Sequence, residues 1–301
     1  MRLFDDRDFR AVDARAGDAA QANGENSTAP RPSASEGSAI SIGGRVIAAY
    51  EISALYLGWF VFGSVCLAAS FFAGFLRYIL PRKFGNRLGQ HMIMRAFQTF
   101  MLYLAITRLV KCDVSALDQL KHEKGLILAP NHPALLDAVL VISRLPRVTC
   151  IMKAVLWDNI VLGGGSRLAG FVRNDSQPNM VRASVAALRD GGQLLMFPEG
   201  TRTVEPPINP LKGAIALIAK KSQAPVQTIF IESNTDFLGK HWPTLKKPTF
   251  PLHYRVTLGK RFDPPMNDKA VDNKIFIAEL DEYFRIELDR RRHGLSHSKT
   301  H

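Results

Sequence analysis

The run Gln193-Leu194-Leu195-Met196-Phe197-Pro198-Glu199-Gly200-Thr201-Arg202 reads as a buried strand that ends in a turn. Five residues without a charge form the strand, and Pro198 stops it. Gly200 permits a tight backbone, so the turn presents backbone amides, the Thr201 hydroxyl and the Arg202 guanidinium together. Immediately upstream, Met180 to Asp190 has helical spacing and ends at Gly191-Gly192. Working outward, the same alternation recurs. Leu126-Ile127-Leu128-Ala129, Val148 to Met152 and Val226 to Ile231 read as strands, with helices over Leu135 to Ser143 and Leu211 to Lys221 between them. His253 to Leu258 alternates and reads as a further strand at a sheet edge, and 268–291 as an amphipathic helix through Ile277, Leu280, Phe284 and Leu288. Strands alternating with helices imply an α/β sheet with both faces covered. The loop from Thr201 to Pro210, with three prolines, should border a functional site.

The first of these strands runs into Asn131-His132-Pro133-Ala134-Leu135-Leu136-Asp137. Pro133 suits the first position of the following helix. On an ideal helix, side chains five apart diverge by about 140°. His132 and Asp137 therefore meet only if His132 precedes the helix and folds back over its first turn. Asp137 would then accept the Nδ1 hydrogen, fix the tautomer and leave a neutral imidazole as a general base. Taken singly, the pair reads as a structural hydrogen bond. An anion-binding turn at the end of a second strand changes that reading, because a base and a phosphate-sized cradle together suit chemistry on a phosphorylated alcohol.

The chain has 301 residues and a formal net charge of +12. Residues 1–44 hold five arginines against seven acidic residues, so the remainder carries +14. Those first residues are rich in Ala, Ser, Gly and Asp and read as a disordered tail. A basic body can meet nucleic acid, anionic lipid or an acidic small substrate. No zinc-finger spacing, RNA-recognition signature or basic heptad region is present, so nucleic acid is not expected as a partner. Cys66, Cys112 and Cys150 have no metal or redox spacing and read as reduced, inert thiols. No metal site is expected.

Ile52 to Leu76 runs 25 residues without a charge. As a helix it would span about 37 Å, against a hydrocarbon core of about 30 Å. It is expected to cross a membrane. Arg77, Arg82, Lys83 and Arg87 at its C-terminal flank place that side, and the rest of the chain, in the cytoplasm. Ala96 to Thr107 is short for spanning. An interfacial helix is the preferred reading, with a helix packed on the α/β part as the alternative. The expected organisation is a disordered tail over 1–44, a membrane anchor over 45–110 with helices near 52–76 and 90–110, an α/β domain over 111–292 and a frayed tail over 293–301.

The two motifs, Asn131–Asp137 and Phe197–Arg202, together resemble the glycerophospholipid acyltransferase family, and in size its lysophosphatidic acid acyltransferase branch. The resemblance covers roughly residues 110–265. Gly170-Phe171-Val172-Arg173 is similar to the family's second block and Ala224-Pro225-Val226 to its fourth. It implies a glycerolipid acyltransferase-like sheet covered by helices, with an N-terminal membrane helix. It implies transfer of a fatty acyl group from acyl-CoA or acyl-carrier protein, as co-substrate rather than cofactor, to the hydroxyl of a lysophospholipid acceptor. His132 and Asp137 would be catalytic. Arg173, Glu199, Gly200, Thr201, Arg202, Lys153 and Lys212 would bind substrate. Glu199 is expected either to orient Arg202 or to cap neighbouring amides. No Ser or Cys sits in a nucleophile elbow, so direct transfer is expected, in the inner membrane with the catalytic domain facing the cytoplasm.

Three features depart from the family pattern. Ala134 stands where many members have Ser. The second block is plain. Ser233 to Trp242 is more like divergent members tied to bacterial polyene lipids. These leave open an ornithine lipid or aryl polyene lipid as acceptor, or a non-catalytic membrane lipid-binding protein with the same fold.

Overall fold

The computed structural model describes residues 42–243, 246–265 and 270–297. The expected disordered tail falls outside the described residues except at 42–44, and the end of the frayed tail, 298–301, lies outside as well.

A seven-stranded sheet organises the chain. Its strands are β1 (Val110–Asp113), β2 (Leu126–Pro130), β3 (Val148–Lys153), β4 (Val172–Asn174), β5 (Gln193–Leu195), β6 (Val226–Ser233) and β7 (Leu252–Phe262), in the order β1-β7-β6-β2-β5-β3-β4. The five strands β6, β2, β5, β3 and β4 are mutually parallel, while β7 runs antiparallel to β6 and parallel to β1. The carboxyl ends of five strands therefore meet along one edge, where open α/β sheets bind their ligands. β7 was expected at an edge. It lies inside, because β1, unanticipated in the sequence, pairs on its outer side.

Every residue of β2 is buried, as a strand covered on both faces requires. Alternate side chains divide between two cores. Leu126 and Leu128 point into one with Leu140, Val148, Ile229 and Tyr254. Ile127 and Ala129 point into the other with Val181, Ile215, Phe230 and Leu280. The first core is closed by α1 (Ile42–Ile79), α2 (Arg82–Ile106) and α3 (Asp137–Ile142), beside a 3-10 turn at Ser115–Leu120. The second is closed by α6 (Gln177–Arg189), α7 (Ala214–Ser222) and α8 (Ala270–His297). Short helices α4 (Ala154–Trp157) and α5 (Gly163–Leu168) lie between β3 and β4.

Helix α1 is long and apolar enough to cross a membrane. It begins at Ile42, ahead of the apolar run. Phe71 and Tyr78 are 85% and 90% exposed, yet Ala54, Leu55, Gly58, Ser70 and Ala73 are buried on the opposite face. The Tyr103 hydroxyl donates to the Ala54 carbonyl at 2.7 Å. Further along, a Cβ on Gly164 would come within 1.9 Å of the Ser70 carbonyl oxygen. Backbones thus touch where α1 crosses α5. The contacts from Ala54 to Ala73 span about 28 Å at 1.5 Å per residue, so α1 lies along the α/β body instead of standing away from it. Helix α2 is packed as well, burying Met94, Phe100, Met101 and Leu104 while Leu102 and Ile106 stay exposed.

Candidate active site

Strand β2 delivers Asn131 and His132 to the carboxyl edge. Asn131 locks the strand exit: its Nδ2 donates to the Ile231 carbonyl at 3.0 Å, and its Oδ1 accepts the Ile231 amide at 2.7 Å. The chain then turns through Pro133–Leu136, and α3 begins only at Asp137. Pro133 is therefore not the first helical residue, as had been expected. The Asp137 carboxylate reaches back over that turn instead, its Oδ2 accepting the Ala134 amide at 2.8 Å.

The same oxygen lies 2.8 Å from His132 Nδ1. His132 thus precedes the helix and folds over it, as the five-residue spacing required. With Asp137 ionised, Nδ1 carries the hydrogen and Nε2 has its lone pair free. Nε2 has no protein partner among the described residues. The His132 side chain is 15% exposed and that of Asp137 0%. Burial pushes the Asp137 carboxyl above the usual carboxylate range, against the opposing pull of His132 and the Ala134 amide. Phe197 stacks on the imidazole, with ring centroids 3.8 Å apart and planes 22° apart. This contact fixes the ring plane.

Strand β5 brings the second motif to the same edge. Glu199 is buried. Its Oε1 accepts the His132 amide at 2.9 Å, its Oε2 the Asn209 amide at 3.0 Å, and both lie 2.9 Å from Thr203 Oγ1. Of the two roles expected for Glu199, the structure selects capping of amides. Burial raises its carboxyl as well, opposed by the Asn209 and His132 amides. The Thr203 amide donates to the His132 carbonyl at 2.7 Å, so Glu199 and Thr203 hold both sides of the His132 backbone. Gly200 has φ of 71°, a left-handed conformation that suits glycine, and Lys212 lies beside it.

Arg202 Nη1 donates to the carbonyls of Leu238 and Gly239 at 2.8 and 2.9 Å. Its Nε and Nη2 have no hydrogen-bond partner among the described residues. Arg173 is held between Asp158 at 2.8 Å and Asp175 at 2.7 Å. Those two hydrogen bonds hold its guanidinium charged and strongly occupied. Lys153, at the end of β3, and Lys212 are exposed and carry no ion pair among the described residues. Thr201 is half-buried on the turn. Asn131, Phe197, Thr203 and Asn209 have supporting roles that sequence reasoning did not assign. A polar residue directly after a buried strand was the only available signal for Asn131.

An apolar crevice adjoins the site. Leu55 and Trp59 of α1, Phe100 of α2, Leu136, Phe237 and Phe250 line it. The two N-terminal helices are thereby joined to the residue next to Asp137.

This arrangement can take a proton at His132 Nε2 and hold an anion at the basic rim. Residues 111–232 match the family model for Acyltransferase. Over 165 residues the chain is 26% identical to the chloroplastic 1-acyl-sn-glycerol-3-phosphate acyltransferase BAT2 of Brassica napus, covering 53% of this chain and 46% of that protein. The chain spans about half the length of that curated relative. In fold it is similar to the 1-acyl-sn-glycerophosphate (LPA) acyltransferase PlsC of Thermotoga maritima, with a TM-score of 0.56 at 18% identity, over 81% of this chain and 98% of that one. The α/β sheet with covering helices and the apolar N-terminal helix agree with the expected fold.

Proposed function

We propose that the protein moves a fatty acyl group from an acyl thioester to the hydroxyl of a lysophospholipid, 1-acyl-glycerol-3-phosphate in the first instance, giving phosphatidic acid. The observation that carries this reading is the 2.8 Å contact between His132 Nδ1 and Asp137, with Nε2 unpartnered among the described residues. The acceptor hydroxyl gives its proton to Nε2 as its oxygen attacks the thioester carbon. The tetrahedral intermediate then expels the thiolate, which recovers the proton from the imidazolium. Asp137 steadies that imidazolium. A thioester is already an activated acyl group, so the reading requires neither a metal nor an acyl-enzyme.

The acceptor phosphate is assigned to Lys212, Lys153, the Thr201 turn and the open edge of Arg202. Arg173 joins them only by exchanging Asp158 or Asp175 for the phosphate. The exposed apolar face of α1 is assigned to the bilayer. We place the protein at the cytoplasmic face of the inner membrane. Incubating the purified protein with a labelled acyl thioester and 1-acyl-glycerol-3-phosphate tests the reading, with labelled phosphatidic acid as the product.

A second reading keeps the chemistry and changes the acceptor to an ornithine lipid or an aryl polyene lipid. The observation favouring it is that Arg202 spends Nη1 on Leu238 and Gly239, within the unusual Ser233–Trp242 segment, while Arg173 is taken up by two carboxylates. A non-catalytic lipid-binding role gives no reason to align His132 with Asp137.

A further inference from the structure

Helices α6 and α7 lie side by side on the sheet face opposite α1 and α2, and an open groove runs between them. Its floor is apolar, built from Val181 and Val185 of α6 and Leu217 of α7. Its walls are basic: Arg182 and Arg189 on α6 and Lys221 on α7, all exposed. Seven positions separate the two arginines, so they project from one helical face two turns, about 11 Å, apart. The groove lining holds no carboxylate. Neither Arg182 nor Lys221 has an ion-pair partner among the described residues. Arg189 donates to the Lys221 carbonyl at 3.0 Å, joining the two helices at one end of the groove. The other end begins at Gln177, three residues past β4, on the carboxyl edge that also holds His132 and Arg202.

We propose that this groove docks an acidic helix of the protein that carries the acyl thioester, so that the donor arrives as an acyl-carrier protein. The inference rests on the acyl-transfer reading above. Charge complementarity selects the partner: uncompensated cations flanking an apolar floor fit an amphipathic helix with acidic flanks and an apolar centre. Position excludes the bilayer as occupant, because the apolar face of α1 and the groove lie on opposite sides of the sheet. Position also gives the groove its use. A carrier seated along α6 and α7 has its thioester arm at the Gln177 end, from which the arm reaches over the strand edge to His132. Free acyl-CoA has no helix to seat there, so the two donors separate the groove from the active site.

The test compares palmitoyl-carrier protein with palmitoyl-CoA, using the full chain in neutral phosphatidylcholine vesicles with 1-acyl-glycerol-3-phosphate as acceptor. The Arg182→Glu/Arg189→Glu/Lys221→Glu protein should lose about tenfold or more in kcat/KM with the carrier donor, while its kcat/KM with palmitoyl-CoA stays within about twofold. Arg182→Lys/Arg189→Lys should retain most carrier-dependent activity, since charge is kept. Wild-type turnover of the carrier donor should fall with added salt more steeply than turnover of palmitoyl-CoA. Binding of the unloaded carrier protein, followed by titration calorimetry, should weaken in parallel.

Equal losses with both donors, or no loss with the carrier, would overturn the proposal. So would charge reversal that impairs binding to phosphatidylglycerol vesicles alone. A wild type that uses palmitoyl-CoA but neither turns over nor binds the carrier removes the groove and leaves the acyl-transfer reading standing. A wild type inactive with both donors removes that reading, and the calorimetric comparison then decides the groove by itself.

Discussion

The His132 amide donates to Glu199 across 2.9 Å, joining two motifs that lie 67 positions apart in the chain. The contact makes Glu199 part of the frame that holds the base, even though its carboxylate is buried and spent on the amides of His132 and Asn209 and the hydroxyl of Thr203. The base, its carboxylate partner and the anion turn are therefore one hydrogen-bonded unit.

Glu199→Ala leaves two amides and a hydroxyl without their acceptor, and an unsatisfied buried donor costs roughly 1–3 kcal/mol each. The variant should lose stability and lower kcat together. Glu199→Gln keeps an acceptor oxygen and should recover part of both. Thermal melts and steady-state kinetics on the two variants check this. Equal behaviour of Ala and Gln would show that hydrogen bonding by Glu199 does not hold the site.

Asp137 makes a prediction about pH. Burial raises its folded-state carboxyl above the unfolded value of about 4. Between those two values the native state holds a proton that the unfolded chain has released, so the term stabilises at low pH and is lost as pH rises through the window. Glu199 shifts in the same direction for the same reason. Asp137→Asn should therefore flatten the fall of Tm as pH rises above about 4, while lowering kcat through the wrong imidazole tautomer. An unchanged Tm–pH slope would contradict the burial argument.

The basic rim separates the acceptor readings. Lys212→Ala or Arg202→Lys should raise the KM for a phosphate-bearing acceptor roughly tenfold, because an ammonium cannot copy the planar guanidinium and a charge-assisted contact is lost. Donor KM should stay nearly constant. Arg173→Ala should do less, since Asp158 and Asp175 already occupy it. Equal use of phosphate-free acceptors, with no sensitivity at Lys212 or Arg202, would move the acceptor to the ornithine or polyene class.

At the seam between α1 and α5, Gly164→Ala should open the crossing at Ser70, since backbone faces the added carbon. Overpacking of this kind costs about 1–3 kcal/mol. A lowered Tm and faster proteolysis within α1 would register it. Wild-type values for both would mean that α1 does not lie on the body.

Much of this was legible in the sequence for identifiable physical reasons. β2 is an apolar run closed by Pro130, and β5 opens the apolar run Leu194–Phe197 that precedes Pro198, so their burial and their turns announce themselves. The short strands β1 and β4, Val-Lys-Cys-Asp and Val-Arg-Asn, carry no such pattern and exist through their neighbours. The interior place of β7 depends on β1 and could not be read from β7 itself. Hydropathy marked the uncharged part of α1 but not its earlier start at Ile42, and it could not report that Ser70 and Gly164 meet. In the site, His132 and Asp137 were readable because their spacing constrains the geometry. The ties of Arg202 to two backbone carbonyls, and of Arg173 to Asp158 fifteen residues away, leave no trace in residue type.

The central claim is that His132 Nε2 takes the acceptor proton. The direct measurement is acyl transfer by His132→Ala from palmitoyl thioester to 1-acyl-glycerol-3-phosphate, alongside a thermal melt. The account predicts a loss of about 10²–10⁴-fold in kcat with a Tm close to wild type. Turnover near the wild-type rate in a folded His132→Ala protein would contradict it.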